Sequence, residues 1–391
     1  MPSRVFTEGI GHTNETVSAT VDSSGNLVMA KDIKLPAAGG IKDSSGNNLL
    51  TEAGSAVTLS DKVIPANSFM FRNKIFNGSM QISQRGDSTG VTTTTYGGPD
   101  RFQSILGTAG TWSLSKSTDA PSGSGFSNSF KFDCTTANNS LSASSILMFG
   151  QKIEGQNVQD LAYGTSSAKN ITLSFWVKSN LTGTYILEFF KETGSRQINR
   201  SYTINAANTW EHKSVTIPGD TSGALANDYT AEFAVYWWLV AGSDFTSGTL
   251  NTSAWANSTN ANRAVGQVNL ASSTSNEIYI TGVQLELGSS ATPFEHRPIG
   301  MELSLCQRYC QKLRRFDMCK MRESDRFSIG TYQFITEMRA APTIPARTQE
   351  PDNESVSVGE IDTLGFTCSL ARPGDGYGGT VSSGGVAEAE L

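Results

Sequence analysis

The chain has 391 residues, of which 37% are apolar and only 17% are charged, and its formal net charge at pH 7 is −6. This length allows two or three domains with at least one sizeable core, and the acidic balance argues against a nucleic-acid partner. No run of 18 apolar residues occurs, so we expect no insertion into a membrane. The first six residues lack the apolar core of a signal peptide, so the sequence predicts assembly in a cytoplasm.

Residues 1–66 contain an internal repeat. Asp22–Asn26 and Asp43–Asn47 both read Asp-Ser-Ser-Gly-Asn, and an apolar pair follows each copy. Ser-Gly-Asn is typical of tight turns, because Gly and Asn tolerate a positive φ. The strands predicted between the copies are short, so one copy alone buries too little surface to offset the entropy of its ordering. The repeat therefore predicts a thin homotrimeric stalk, with a disordered arm as the alternative.

Residues 67–298 carry the strongest strand patterns. Asn170–Lys178 and Tyr229–Val240 alternate apolar residues along their length, which predicts two half-buried strands, and Trp210–Pro218 predicts a third that ends at its proline. The apolar faces of the first two comprise Ile171, Leu173, Phe175 and Val177, and Ala231, Phe233, Val235, Trp237 and Leu239. Many strands separated by turn residues indicate an antiparallel β-sandwich.

The segment Ile278–Gly288 predicts a strand with an irregularity in its middle. Ile278 and Ile280 share one face, whereas Val283 would lie on the opposite face unless an extra residue resets the alternation. A β-bulge at Gly282 would provide that reset.

Residues 299–391 predict a smaller module. Apolar residues recur at spacings of three and four from Met301 to Phe316, which predicts an amphipathic helix over that range. Strands are predicted around Phe327–Ile335 and Gly359–Leu370.

No catalytic constellation stands out, so the sequence predicts a protein that is not an enzyme. The Gly-x-Ser-x-Gly match at Gly86–Gly90 precedes a β-branched run, whereas a nucleophile elbow needs a helix there. His212 lies on a predicted strand and is interpreted as a half-exposed sheet residue. With 36 Asp and Glu residues in the chain, a pair of carboxylates carries no information about glycoside hydrolysis.

The cysteines predict free thiols. The chain has five cysteines, an odd number, and they are too widely spread to form a disulfide framework. They are Cys134, Cys306, Cys310, Cys319 and Cys368. Cys306 and Cys310 fall on the apolar stripe of the predicted helix, where Cys acts as a small apolar residue, so the same pattern does not favour a zinc site.

Two sets of motifs resemble known families. Four short segments resemble the jelly-roll sandwich of carbohydrate-binding modules: Asn77–Ile82, Phe175–Lys178, Thr209–Trp210 and Gln284–Gly288. Glu302–Tyr309, together with Met338–Thr343, resembles a recurring C-terminal module of phage tail-fibre proteins. That module often has a second aromatic residue after the tyrosine, where this chain has Cys310.

The resemblance implies a mainly β protein with three parts: a thin trimeric stalk at 1–66, an antiparallel jelly-roll β-sandwich at 67–298 and a small α+β module at 299–391. It also implies a structural bacteriophage virion protein, a homotrimeric tail fibre. Such a fibre would bind another virion protein through its N-terminal segment and a host cell-surface polysaccharide through the rest. A tail-associated polysaccharide depolymerase and a capsid-attached fibre are the alternatives.

Strand alternation suggests where a sugar would bind. If Trp237 belongs to the core, Tyr236 and Trp238 face outward together and form a platform on which a sugar ring could stack. Trp255, in a polar segment, is a second candidate. The alternative is that these rings pack against a second sheet, a loop or another subunit.

Jelly-roll modules of this type often hold one structural calcium ion through carboxylate and carbonyl oxygens. The resemblance makes Asp100 and Glu286 the candidate ligands. No other cofactor is expected.

Overall fold

The chain divides into two compact units, Met1–Ala66 and Asn67–Leu391. The computed structural model describes, besides five short strands in the first unit, residues 71–317, 319–322, 325–350, 354–371, 380–381 and 385–391. The predicted division into three domains stays a prediction.

In the first unit, short antiparallel strands lie on either side of each copy of the repeat. The first two strands pair with each other, and the next three form a second small sheet. The strands are Ala19–Val21 (β1), Leu27–Met29 (β2), Gly40–Lys42 (β3), Asn48–Ala53 (β4) and Ala56–Leu59 (β5). The repeated residues 22–26 and 43–47 lie outside the described residues, and the trimeric stalk stays a prediction.

Residues 71–298, a range described throughout, form the predicted antiparallel β-sandwich. Its strands are Ser88–Val91 (β6), Gln103–Gly107 (β7), Thr111–Ser117 (β8), Ser129–Thr136 (β9), Ile146–Glu154 (β10), Ile171–Ser179 (β11), Gly183–Lys191 (β12), Arg196–Ile204 (β13), Glu211–Ile217 (β14), Ala231–Ala241 (β15), Ala256–Asn257 (β16) and Glu277–Leu287 (β17). The first sheet has the order β16-β13-β12-β15-β10-β7, and the second has the order β14-β11-β17-β9-β8-β6. A short helix, Ser243–Thr246 (α1), follows β15, and 3-10 turns occur at Gly155–Asn157, Gln159–Leu161, Asn260–Asn262 and Leu270–Ser272.

Aromatic rings from both sheets fill the space between them. Trp237 on the first sheet is fully buried, as predicted, and stacks on Phe149 with 5.2 Å between ring centroids. Phe175 on the second sheet meets Trp237 edge to face at 5.6 Å, and Phe130 meets Phe149 at 5.7 Å. Burying a ring of this size contributes roughly 4–6 kcal/mol of gross hydrophobic stabilisation, at about 25 cal/mol per Å². These rings, together with the aliphatic side chains of the same core, hold the two sheets together.

The predicted bulge in β17 is confirmed. Ser174 of β11 pairs with Gln284 and Trp176 pairs with Thr281, so two residues of β17 oppose Phe175 alone. Gly282 has a φ of 62°, the left-handed conformation that glycine adopts without steric cost. The bulge resets the alternation, and the apolar residues on both sides of it point into one core: Ile278, Ile280, Val283, Leu285 and Leu287.

The helix of the C-terminal module is shorter than predicted. It spans Ile299–Gln307 (α2), and the chain then continues as Cys310–Lys312 (β18), which pairs with Val386–Glu388 (β26). The prediction of a helix reaching Phe316 was wrong, because a strand distant in sequence supplies backbone partners at Cys310 that local spacing does not reveal. No helix in the described part of the chain is long and apolar enough to cross a membrane.

The remaining strands of the C-terminal module form an antiparallel sheet. Its strands, within the described residues, are Phe316–Asp317 (β19), Cys319–Arg322 (β20), Asp325–Gln333 (β21), Arg347–Glu350 (β22), Glu354–Gly359 (β23), Gly365–Ala371 (β24) and Thr380–Val381 (β25). Four of the five cysteines are free and buried: Cys134, Cys306, Cys310 and Cys368. The side chain of Cys319 lies outside the described residues.

Charged side chains join the sandwich to the C-terminal module. Arg308 donates two hydrogen bonds to Glu154, of 2.8 and 2.9 Å. The guanidinium of Arg101 lies 3.4 Å from the centre of the Tyr309 ring and pairs with Glu390. Because Glu154 and Arg101 are almost fully buried, loss of either partner would leave a charge without compensation. The two parts therefore form one compact unit.

Candidate functional site

The prediction of an exposed platform at Tyr236 and Trp238 was wrong. Both rings lie on the outer face of the first sheet, as the alternation requires, but they are only 4% and 0% exposed. Phe245 packs on Trp238 at 5.2 Å between ring centroids, and the guanidinium of Arg263 lies 5.1 Å from the Trp238 ring. The indole Nε1 donates to Glu188 at 3.0 Å. The segment after β15 folds back over this face, so a sugar cannot stack there.

Trp255 is likewise part of a packed cluster. Its ring meets Tyr163 at 5.8 Å and Phe233 at 6.1 Å, and its Nε1 donates to the carbonyl oxygen of Pro218 at 2.8 Å. With 8% of its surface exposed, it offers no face to a ligand.

The two carboxylates predicted as calcium ligands belong to separate hydrogen-bond networks. Asp100 accepts hydrogen bonds from the backbone nitrogen and the Nε2 of Gln84, at 2.8 and 2.7 Å. Glu286 accepts from the backbone nitrogen and Oγ1 of Thr292, at 2.8 and 2.6 Å. Protein donors thus occupy both groups. Among the described residues, no group of three or more His, Cys, Asp or Glu side chains is placed to hold a metal ion.

A lysine supplies a buried positive charge on the first sheet. The ammonium of Lys191 is fully buried and donates to Asp220 at 3.1 Å and to the carbonyl oxygens of Ser222 and Gly223. A carboxylate and two carbonyls are also the kind of donor set that a hard cation uses. Here the ammonium occupies that position.

The outer face of the second sheet is covered on one side of the bulge only. Beyond Gly282, the side chains of Gln284 and Glu286 point outward but are buried under the segment that follows β17. That segment is fixed by bonds from Thr292 to Glu286 and from the backbone nitrogen of Glu295 to Gln284. On the other side of the bulge, the outer face carries partly exposed aromatic rings.

Trp176 and His212 form the centre of this face. They are direct partners across β11 and β14, with 5.2 Å between ring centroids, and Trp176 is half-buried while His212 is exposed. Phe126 borders them. A Cβ atom on Gly282 would lie 2.6 Å from Cζ of Phe126 and 3.1 Å from Cδ1 of Trp176, so glycine allows both rings to approach the bulge.

A second pair of rings, the partly exposed Trp210 and the buried Tyr279, lies beside the first on the same face. Lys178 and Tyr279 are cross-strand partners, and the ammonium of Lys178 lies 4.4 Å from the centre of the Tyr279 ring and 5.5 Å from that of Trp210. Asp119 pairs with Lys178 and accepts a hydrogen bond of 3.0 Å from Nε1 of Trp210. We name the surface formed by Trp176, His212, Trp210, Tyr279 and Lys178 the aromatic face.

Two ionisable groups at the aromatic face, Asp119 and His212, have shifted pKa values. Burial alone would raise the pKa of Asp119, but hydrogen bonds from Lys178 and Trp210 outweigh it and lower the pKa. Partial desolvation lowers the pKa of His212 from its ordinary value of 6.5, which favours the neutral ring at pH 7. The face therefore combines apolar rings with a neutral imidazole and paired charges.

This arrangement is suited to binding a sugar. Ring faces can cover the apolar side of a sugar, while the imidazole, ammonium and carboxylate groups can exchange hydrogen bonds with hydroxyls. Sequence reasoning missed Trp176 although its signal was present. The alternation that sends Phe175 inward sends Trp176 and Lys178 outward, and the strand predicted at Trp210–Pro218 contains the partner His212.

The fold and this face define an antiparallel β-sandwich with a partly exposed aromatic surface on its second sheet. No protein-family model matches the sequence, and no curated protein matches it. Among solved structures, it is similar to the enzymatically active domain of tailspike protein 4 from bacteriophage CBA120, at 15% identity and a TM-score of 0.29, over 56% of this chain and 22% of that one.

Two carbohydrate-binding structures are similar at the same level. A xylan-binding domain from Paenibacillus barcinonensis is 11% identical over 48% of this chain and 92% of its own, with a TM-score of 0.28. A family 11 carbohydrate-binding module from Clostridium thermocellum, in complex with a mixed-linked tetrasaccharide, is 13% identical over 50% and 91%, with a TM-score of 0.24. With TM-scores this low, none of these likenesses establishes fold or function for this chain.

Proposed function

We propose that the protein is a non-enzymatic, glycan-binding virion protein, a homotrimeric phage tail fibre that attaches to polysaccharide on the host surface. The observation that carries the glycan-binding part of the proposal is the half-buried Trp176 on the outer sheet face with His212 as its direct partner. The virion and tail-fibre parts rest on the resemblance of Glu302–Tyr309 and Met338–Thr343 to the phage tail-fibre module. A partly exposed indole ring on a rigid sheet offers an apolar surface on which a sugar ring could stack.

The binding energy of one such face is modest. Covering one side of an indole and of a neighbouring ring gains a gross few kcal/mol, at about 25 cal/mol per Å², before the entropy of binding is subtracted. Hydroxyl hydrogen bonds to His212 and Asp119 add orientation more than affinity. Three linked copies would raise the overall avidity by roughly 10² to 10⁴, which is why trimerisation belongs to the proposal.

The trimer itself is supported by the repeat in the first unit, whose strands are too short to bury much apolar surface within one chain. Light scattering of the full-length protein tests this directly. We expect a mass of three times 41.8 kDa, and a monomer at micromolar concentration would contradict the stalk.

The binding experiment compares Trp176→Ala with Tyr229→Ala in retention on arrayed bacterial surface glycans. Tyr229 is 53% exposed and lies next to Arg339 of the C-terminal module, so its variant removes an exposed ring outside the aromatic face. We expect Trp176→Ala to lose at least tenfold in apparent affinity and Tyr229→Ala to behave as the wild type. Equal retention by all three proteins would refute binding at this face.

The same glycans test the absence of catalysis. After prolonged incubation with the wild-type protein, we expect no new reducing ends. Reducing ends that increase with protein concentration would instead identify a polysaccharide depolymerase. Labelling of the protein in images of intact virions would distinguish a tail fibre from a capsid-attached one.

A further inference from the structure

Resting on the proposed glycan binding, we infer that the aromatic face takes an uncharged glycan and discriminates against chains that carry carboxylate, sulfate or phosphate groups. The inference comes from how the charges around the rings are arranged.

Each lysine at this face already has a carboxylate partner. Lys178 pairs with Asp119, and Lys131 pairs with Glu277 at 2.8 Å. Both lysines are cross-strand partners of Tyr279, so they share its face of the sheet. Their side chains are only 13 and 24% exposed, so little of each cation faces solvent.

Both lysines are also held by an aromatic ring. Tyr279 lies 4.4 Å from the ammonium of Lys178 and 5.5 Å from that of Lys131, measured to the ring centre. An anionic sugar would have to draw a cation away from both a carboxylate and a ring, and the displaced carboxylate would remain beside it. The lysines therefore shape the surface and are poorly placed to attract an anion.

The surplus charge near the rings is negative. Asp133 lies 3.7 Å from the ammonium of Lys131, which already bonds to Glu277, so two carboxylates share one cation. Asp133 and Glu277 are direct partners across β9 and β17. Their side chains are 41% and 28% exposed, so their shared negative charge faces solvent and repels an approaching anion.

The groups left free to contact a ligand suit hydroxyls. The neutral imidazole of His212 can both donate and accept a hydrogen bond. Trp176 supplies an apolar ring surface beside it. A polyhydroxylated, uncharged glycan can hydrogen-bond to His212 and stack on Trp176. A charged glycan gains no counter-ion at this face.

The test measures affinity by titration calorimetry and on an array for matched pairs: a neutral β-glucan and a galactomannan, each with a derivative carboxylated at C6. Measurements at low and at physiological salt separate charge effects from stacking. We expect retention of at least one neutral chain, in a Trp176-dependent manner, and at least tenfold weaker binding of its carboxylated derivative. Asp119→Asn frees Lys178 and should improve binding of the carboxylated derivative at least threefold. The control variant Asp244→Asn removes an exposed carboxylate from α1, which packs on the first sheet, and should leave the affinity for both glycans unchanged.

The outcomes separate the inference from the proposed function. Trp176-dependent binding that is as tight or tighter for the carboxylated chains would overturn the uncharged ligand and leave glycan binding intact. The absence of any gain in Asp119→Asn, with an unchanged melting temperature, would also overturn it, because the ion pair would then not be what excludes anions. Failure to bind any glycan, or binding that Trp176→Ala leaves unchanged, would refute the proposed function as well.

Discussion

Trp176 and His212 are direct partners across neighbouring strands, and the sheet face that carries them stays open while the other half of the same face is covered. The boundary between the two halves is the bulge at Gly282. On one side the chain that leaves β17 folds back over Gln284 and Glu286, and on the other it leaves the rings accessible. The bulge at Gly282 therefore keeps the apolar residues of β17 in one core, and it also marks where the candidate binding surface ends.

Trp238→Ala is expected to destabilise the sandwich by about 3–5 kcal/mol, the usual cost of truncating a buried Trp. Its ring is fully buried and its Nε1 donates to Glu188. Trp176→Ala removes a half-buried ring and is expected to cost about 1 kcal/mol. Denaturant unfolding of both variants measures the difference. Similar losses in the two proteins would mean that Trp176 is a packing residue and not part of a binding surface.

Gly282→Ala is expected to destabilise the protein more than Gly90→Ala. Both glycines have a positive φ, 62° and 66°, which costs an alanine roughly 1–2 kcal/mol. Only at Gly282 does the new methyl group meet Phe126 and Trp176, and displacing such rings adds about 1–3 kcal/mol. Thermal unfolding checks the order, and glycan retention should fall in the Gly282 variant alone. Equal melting temperatures would show that the rings do not pack over the bulge.

Glu211→Gln is expected to reduce the acid sensitivity of the protein. Burial would raise the pKa of Glu211, but hydrogen bonds from Lys213 and from the backbone at Asn205 and Ala206 lower it to about 2 from its ordinary value of 4.5. The unfolded chain therefore binds more protons between these pH values. The stabilisation from Glu211 is complete above about pH 4.5 and is lost as the pH falls towards 2.

Melting temperatures between pH 7 and pH 3 measure this effect. The variant should be less stable than the wild type at pH 7, and the two should converge as the pH falls. A constant gap between the two curves would contradict the lowered pKa. Because Glu211 fixes the turn before Trp210, the variant should also weaken glycan retention at pH 7.

Lys191→Met is expected to destabilise the first sheet by roughly 2–4 kcal/mol, because it removes one partner of a buried ion pair. Arg196 still bonds Asp220, which keeps the loss below that of an isolated charge, but the carbonyl oxygens of Ser222 and Gly223 lose their donor. Lys169→Met, at an exposed position, should change stability by less than about 0.5 kcal/mol. Unfolding with and without calcium completes the test, since rescue of the Lys191 variant by calcium would mean that the site accepts a metal ion.

The sequence by itself was sufficient for the main features of the sandwich. Alternation along Asn170–Lys178 and Tyr229–Val240 predicted strands whose apolar faces do lie in the core, except for Ala231 at the start of β15, which is only partly buried. It also predicted the bulge at Gly282, because a strand buried against one core cannot change face without an extra residue. These features are local, so the two-residue alternation of apolar side chains is enough to predict them.

Only the tertiary structure decided which outward-facing rings are accessible. Alternation placed Tyr236 and Trp238 on an outer face and did the same for Trp176, but Phe245 and Arg263 cover the first pair while Trp176 stays partly open. The helix that ends at Gln307 is a second case, because its continuation as a strand depends on partners near residue 387. A strand's pattern records which side chains share a face. The residues that cover the face lie outside the strand, so its pattern does not reveal them. Only the folding of the chain brings them onto that face.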